Sequence, residues 1–152
     1  ERSRAPLDPA RCRADTPWMA NTTAFSLRKR PAHLGLGARV LVQEPFTGTP
    51  AWYAAYGART SADGNEGRLV SLHTFTKPWD SWEMHPSGEE LVVCVAGRIT
   101  LIQEVDGEAQ RVTLNEGDAV INPAGVWHTA DVEGLATALF ITAGMGTEHR
   151  PR

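Results

Sequence analysis

Cysteine is nearly absent from this 152-residue chain, with only Cys12 and Cys94 present. Two thiols without zinc-type spacing exclude a disulfide framework and a cysteine-rich zinc site, and a reducing, cytoplasmic location is expected. Long apolar runs are also missing. Leu91 to Ala96 and Leu135 to Ile141 are strand-length, far short of a membrane-spanning helix, so no membrane partner is expected. Nor is there a surplus of basic charge. Fifteen Lys and Arg stand against 18 Asp and Glu, for a net charge of -3, which gives nucleic-acid binding no support. The opening stretch ERSRAPLDPARCRADTPW lacks the apolar segment of a secretory signal. With Glu1 first and the first Met at Met19, residues 1–18 are expected to be a flexible extension without function.

What is there is ordinary for one globular domain, with 41% hydrophobic and 22% charged residues. From Arg68 onward, short β-type runs alternate with turn signals. LVSLHTFT ends at Lys77-Pro78, RITLIQEV at Asp106-Gly107, QRVTL at Asn115 to Asp118, AVIN at Pro123 to Gly125, and ATALFIT at Ala143-Gly144. Asp-Gly between two apolar runs predicts a hairpin, because the turn needs positive φ at its centre. Before Arg68, ARVLVQE (38–44) reads as a strand. Thr49-Pro50 reads as a helix start that leads into AWYAAYGAR, a helix expected on the outside of the sheet structure rather than as a lid. Residues 19–67 thus form strands, a short helix and a loop packed on the main unit, residues 68–143 form its core, and 144–152 a tail.

The chemistry concentrates in SWEMHPSGEELVVCVAG. Glu83 and His85 are two apart in a predicted strand and so share a face. Pro86-Ser87-Gly88 reverses the chain, and Glu89 or Glu90 opens the next strand beside them. In GDAVINPAGVWHTADV, Pro123 and Gly125 set a tight turn, and His128 on the returning strand faces the same interior. Two imidazoles with one or two carboxylates suit a divalent first-row metal, and this donor set does not choose among iron, manganese, nickel and zinc.

These two stretches resemble the two motifs of the cupin superfamily. In the first, His85 matches the second His, Glu90 the Glu and Gly97 the closing Gly. In the second, Gly117, Pro123, Gly125 and His128 match in register. The sequence departs from the pattern at Lys77 for the opening Gly, Glu83 for the first metal-binding His, and Val132 for the closing Asn. The resemblance implies an all-β, single-domain β-barrel, a double-stranded β-helix of jelly-roll type, with a short helical or irregular N-terminal segment. It implies a divalent metal held by Glu83, His85, Glu90 and His128, with Glu83 as fourth ligand or as catalytic base. Spacing to Gly97 favours Glu90 over Glu89 as the inward carboxylate.

Around the motifs, Trp79, Trp82 and Trp127 could line an apolar pocket, but Trp82 and Trp127 are expected to point away from the metal as core. Cys94 is expected to be an inert buried thiol, and His73 to sit at the surface or core edge. His33 and His149, in polar terminal segments, carry no expected role. The run LVVCVA is apolar on both faces, so a dimer partner, the amino-terminal segment or the AWYAAYGAR helix must cover its outer side, and the resemblance makes a homodimer the leading choice. The function these readings imply is a metal-dependent enzyme acting on a small organic substrate, a dioxygenase, isomerase or lyase. The alternative is a non-catalytic cupin that binds or senses a small molecule.

Overall fold

The computed structural model describes residues 23–152, and the extension expected at 1–18 lies outside the described residues. The elements run β1 (Ala32–Gly35), β2 (Arg39–Val42), α1 (Pro50–Thr60), β3 (Arg68–Phe75), β4 (Ser81–Met84), β5 (Glu90–Val105), β6 (Glu108–Asn115), β7 (Ala119–Asn122), β8 (His128–Thr142) and β9 (Glu148–Pro151). All strand pairs are antiparallel. One path through the sheet runs β2-β1-β3-β8-β4-β9, while β5 pairs with β6, β7 and β8. The protein is the all-β barrel that the sequence resemblance implied.

Alternation sorts the two faces. In the ladders around β5, Glu90 stands opposite Asn122 of β7 and Thr142 of β8, while Leu91 stands opposite Ile121 and Ile141. Glu90, Asn122 and Thr142 point inward. The inner core is Val92, Cys94, Ile99, Leu101, Leu114, Ala130, Val132, Ala136, Ala138 and Phe140. Val132, in place of the family's Asn, is one of these buried apolar residues. Cys94 is fully buried, and burial pushes its thiol pKa up, as suits an inert core group.

Two turns hold the motifs in register. Asp106 and Gly107 both take positive φ (53° and 79°) in the two-residue loop between β5 and β6. At Gly97, φ is 76° and an added Cβ would stand 2.0 Å from the Leu135 carbonyl oxygen, so only glycine fits the bulge where β5 crosses β8. The Gly125 N–H donates to the His85 carbonyl at 3.0 Å, which docks the turn of the second motif onto the first.

Thr49 caps α1 by accepting from the Trp52 N–H, with Pro50 following it, as Thr-Pro predicted. Trp52 packs edge-on to Phe46 (5.0 Å between centroids), and Phe46 packs on His73 (5.2 Å), an inward residue of β3 paired with Ala138. Trp52 and Tyr53 of the helix thus pack on Phe46, which joins them to β3 through His73. The segment after Ala143, expected as a tail, carries β9.

Candidate metal centre

Strand β4 presents Glu83, and the chain just beyond it presents His85. In the ladder, Glu83 stands directly opposite His128 of β8, and His128 opposite Gln103 of β5. One donor atom each from Glu83, His85 and His128 lies within 4.8 Å of the others. The two imidazoles lie 5.1 Å apart between centroids. His85 and His128 are buried, and Glu83 is half-buried at the rim.

Glu90 closes the cluster from below. Its Oε1 lies 3.4 Å from His85 Nε2 and its Oε2 lies 3.3 Å from His128 Nε2. Each oxygen is also fixed by a donor, the Thr142 hydroxyl at 2.7 Å and the Asn122 amide at 3.0 Å. Asn122 is held in turn by Gln103 Nε2, which donates to Asn122 Oδ1 at 2.8 Å. Burial pushes the Glu90 pKa up, but the His128 and His85 imidazoles outweigh it and hold the carboxyl well below the usual range. Glu89, by contrast, is exposed, as the spacing to Gly97 predicted.

The tautomers follow from the partners. Thr147 donates its hydroxyl proton to the Gly144 carbonyl (3.1 Å), so its oxygen accepts from His85 Nδ1–H at 2.9 Å. The Val126 carbonyl can only accept, so His128 Nδ1 carries a proton toward it at 3.2 Å. Each neutral ring then offers an Nε2 lone pair inward. Both Nε2 atoms are buried and make no hydrogen bond, since their contacts with Glu90 are at ion-pair length without hydrogen-bond geometry. Lone pairs facing a carboxylate need positive charge between them. A proton is one source of that charge, and burial opposed by Glu90 leaves the His128 pKa raised. A divalent ion is the other, and two unpartnered Nε2 donors with carboxylates around them fit it.

At the rim, His149 of β9 stands opposite Glu83, its Nε2 3.3 Å from Glu83 Oε1. Glu83 also bears electrostatically on Tyr53 and His73. Burial first, then Glu83, raises the Tyr53 pKa. Burial lowers that of His73, which packs among Phe46, Phe75 and Phe140. Trp82 and Trp127 lie away from the cluster, as predicted, on either side of the Arg150 guanidinium at 5.2 and 4.5 Å.

Sequence reasoning passed over His149 and His33. The signal for His149 is only its even spacing with Thr147 and Pro151, which a polar segment hides. His33 is buried on β1, its Nδ1 2.8 Å from the Tyr56 hydroxyl and its Nε2 2.8 Å from Asp63 Oδ2. Asp63 also receives Arg39 at 2.7 Å. This group ties α1 and the following turn to β1, outside the cluster.

The antiparallel barrel, with imidazoles and carboxylates converging in its interior, has the fold of the jelly-roll class. Residues 75–144 match the family model for the cupin domain. No curated protein matches the sequence closely. Among solved structures, a cupin superfamily protein from Desulfitobacterium hafniense is 23% identical, over 49% of this chain and 65% of that one, with a TM-score of 0.43. A cupin-2 domain protein from Shewanella frigidimarina is 20% identical over 56% and 71%, also at 0.43. Hydroquinone 1,2-dioxygenase from Sphingomonas sp. TTNP3 is 18% identical over 49% and 59%, at 0.42.

Proposed function

We propose that this chain is a metal-dependent cupin enzyme acting on a small organic molecule, with Glu83, His85, Glu90 and His128 holding a divalent ion. The observation that carries this reading is the pair of buried Nε2 atoms on His85 and His128, fixed as lone-pair donors and unpartnered. A divalent first-row ion held there would supply Lewis-acid polarisation of a substrate oxygen, or a binding position for dioxygen.

The chain's own groups divide the remaining work. Glu90 is buried and fixed by Thr142 and Asn122, so it sets charge and cannot swing to substrate. Glu83 sits half-buried at the rim with one oxygen toward His149, and its other oxygen serves either as a ligand of the ion or as the base that takes or returns a substrate proton. Phe46, Tyr53 and His73 line the approach and exclude water from one side of it. The substrate class that fits is a small molecule with an anionic or carbonyl oxygen for the ion and an apolar part for the aromatic side.

Elemental analysis tests the reading. The protein is stripped with chelator and reloaded with iron, manganese, nickel or zinc, beside His128→Ala and Glu83→Ala. One ion per chain in the unaltered protein, lost in His128→Ala, is expected. Glu83→Ala separates its roles, since loss of metal marks a ligand, while retained metal with lost turnover marks a base. A protein that binds none of the four metals sinks the enzyme reading.

The outward face supports a second assignment, a homodimer. Leu72, Leu91, Val93, Leu139 and Ile141, each half-buried, are ladder neighbours on β3, β8 and β5, with Ile121 of β7 beside them 52% exposed.

A further inference from the structure

The donor-bearing strand β4 meets the barrel through one ladder pair and the Thr129 hydroxyl, which donates to the Ser81 carbonyl at 2.8 Å. Its ladder with β8 contains the single pair Glu83↔His128. On the other side β9 pairs with all four of its residues, from Ser81↔Pro151 to Met84↔Glu148. β9 lies beyond residue 144, where the match to the cupin family model stops.

The same segment reaches two of the candidate ligands directly. Thr147 accepts from His85 Nδ1 at 2.9 Å and is committed to that role because its own proton goes to Gly144. His149 stands 3.3 Å from Glu83 Oε1, so one carboxylate oxygen is engaged and the other is left for the centre. The segment is in turn fastened to the barrel. Arg150 meets Glu104 at 2.6 Å between the rings of Trp82 and Trp127. Arg152 pairs with Asp131 and donates to the Trp79 and Ala130 carbonyls, each at 3.2 Å.

We propose that the segment Gly144–Arg152 is a strap that builds the outer shell of the metal centre, with Thr147 positioning His85 and His149 positioning Glu83. This rests on the metal reading above. A partner that fixes the ring orientation of a ligating histidine is worth about 10- to 100-fold in metal affinity. The strap therefore makes affinity depend on residues outside the matched domain.

Cobalt(II) is the probe, because its visible absorption reports ligand geometry. Full-length protein, stripped of metal, is titrated with cobalt(II) against a chromophoric chelator, beside Thr147→Val, Thr147→Ser, His149→Ala and His149→Gln. Thr147→Val is expected to weaken binding by roughly 10- to 100-fold and to shift the cobalt spectrum, while Thr147→Ser, which keeps the acceptor oxygen, restores both. His149→Ala is expected to weaken binding, and His149→Gln, which can still donate to Glu83, to recover it. Should Thr147→Val fail to fold, His149→Ala, at an exposed position, decides alone. Cobalt binding with unchanged affinity and spectrum in both Thr147→Val and His149→Ala would overturn the strap and leave the metal reading standing. No cobalt uptake by the unaltered protein overturns both.

Discussion

Glu90 is the most constrained residue of the cluster, and its constraint is measurable without any metal. The Thr142 hydroxyl and the Asn122 amide each donate to one of its oxygens, and hydrogen bonds to a buried charge contribute about 1.5–3 kcal/mol. Thr142→Val keeps the shape and removes the donor, so chemical denaturation should show a loss of that size. At His33, Asp63 and Tyr56 the arrangement is also polar and buried but carries stability instead of chemistry. His33, opposed by burial and aided by Leu36 and Arg39, holds the Asp63 pKa below its ordinary 3.8, while burial raises that of Tyr56 to about 12. A depressed carboxyl contributes stability that is whole above 3.8 and lost as the pH falls through its folded value. Urea unfolding at a series of acidic pH values should show this slope in the unaltered protein and a flatter one in Asp63→Asn. Equal slopes would remove Asp63 from the acid response. His85 and Glu90 were legible in the sequence because one short turn separates them, and His128 because Gly117, Pro123 and Gly125 set it in the register of the second resembling motif. His33 was not, since its partners Tyr56 and Asp63 lie on a helix and a turn whose approach to β1 no local pattern encodes.

The strands from β3 to β8 could be read because alternation and turn residues are local signals. The Asp106-Gly107 hairpin is the clearest case, with both residues at positive φ. Gly97 was legible as a motif position, and the structure supplies its cause in the close approach of Leu135. Gly97→Ala combines a left-handed φ with a backbone clash, and thermal denaturation should report a loss of more than about 2 kcal/mol. A melting temperature unchanged by this substitution would show that the bulge can open without cost. Two elements escaped the reading. The packing of α1 depends on Phe46, a residue of another segment, which touches both Trp52 and His73. β9 is a short polar strand, Glu148–Pro151, whose partner β4 lies more than sixty residues earlier, so neither hydrophobic periodicity nor a turn announces it.

Across the molecule, the barrel separates two surfaces with different tasks. The interior gathers imidazoles and carboxylates among apolar walls, and the outer face of β3, β8 and β5 carries half-buried apolar side chains beside the exposed Ile121 of β7. Light scattering after gel filtration should give the mass of a dimer, and Leu91→Asp, placed in the middle of that face, should give a monomer with the same circular dichroism. A monomer in the unaltered protein would remove the dimer and leave the interior untouched. Among the described residues no helix is long and apolar enough to cross a membrane.

The central claim is that the buried Nε2 atoms of His85 and His128 share a divalent ion with the carboxylates beside them. Anomalous diffraction from crystals of zinc-loaded protein, collected on both sides of the zinc absorption edge, tests it most directly. The account predicts one edge-dependent peak in the barrel interior, about 2.1 Å from both Nε2 atoms. A loaded crystal with no peak there, or with zinc only on surface groups, would contradict it.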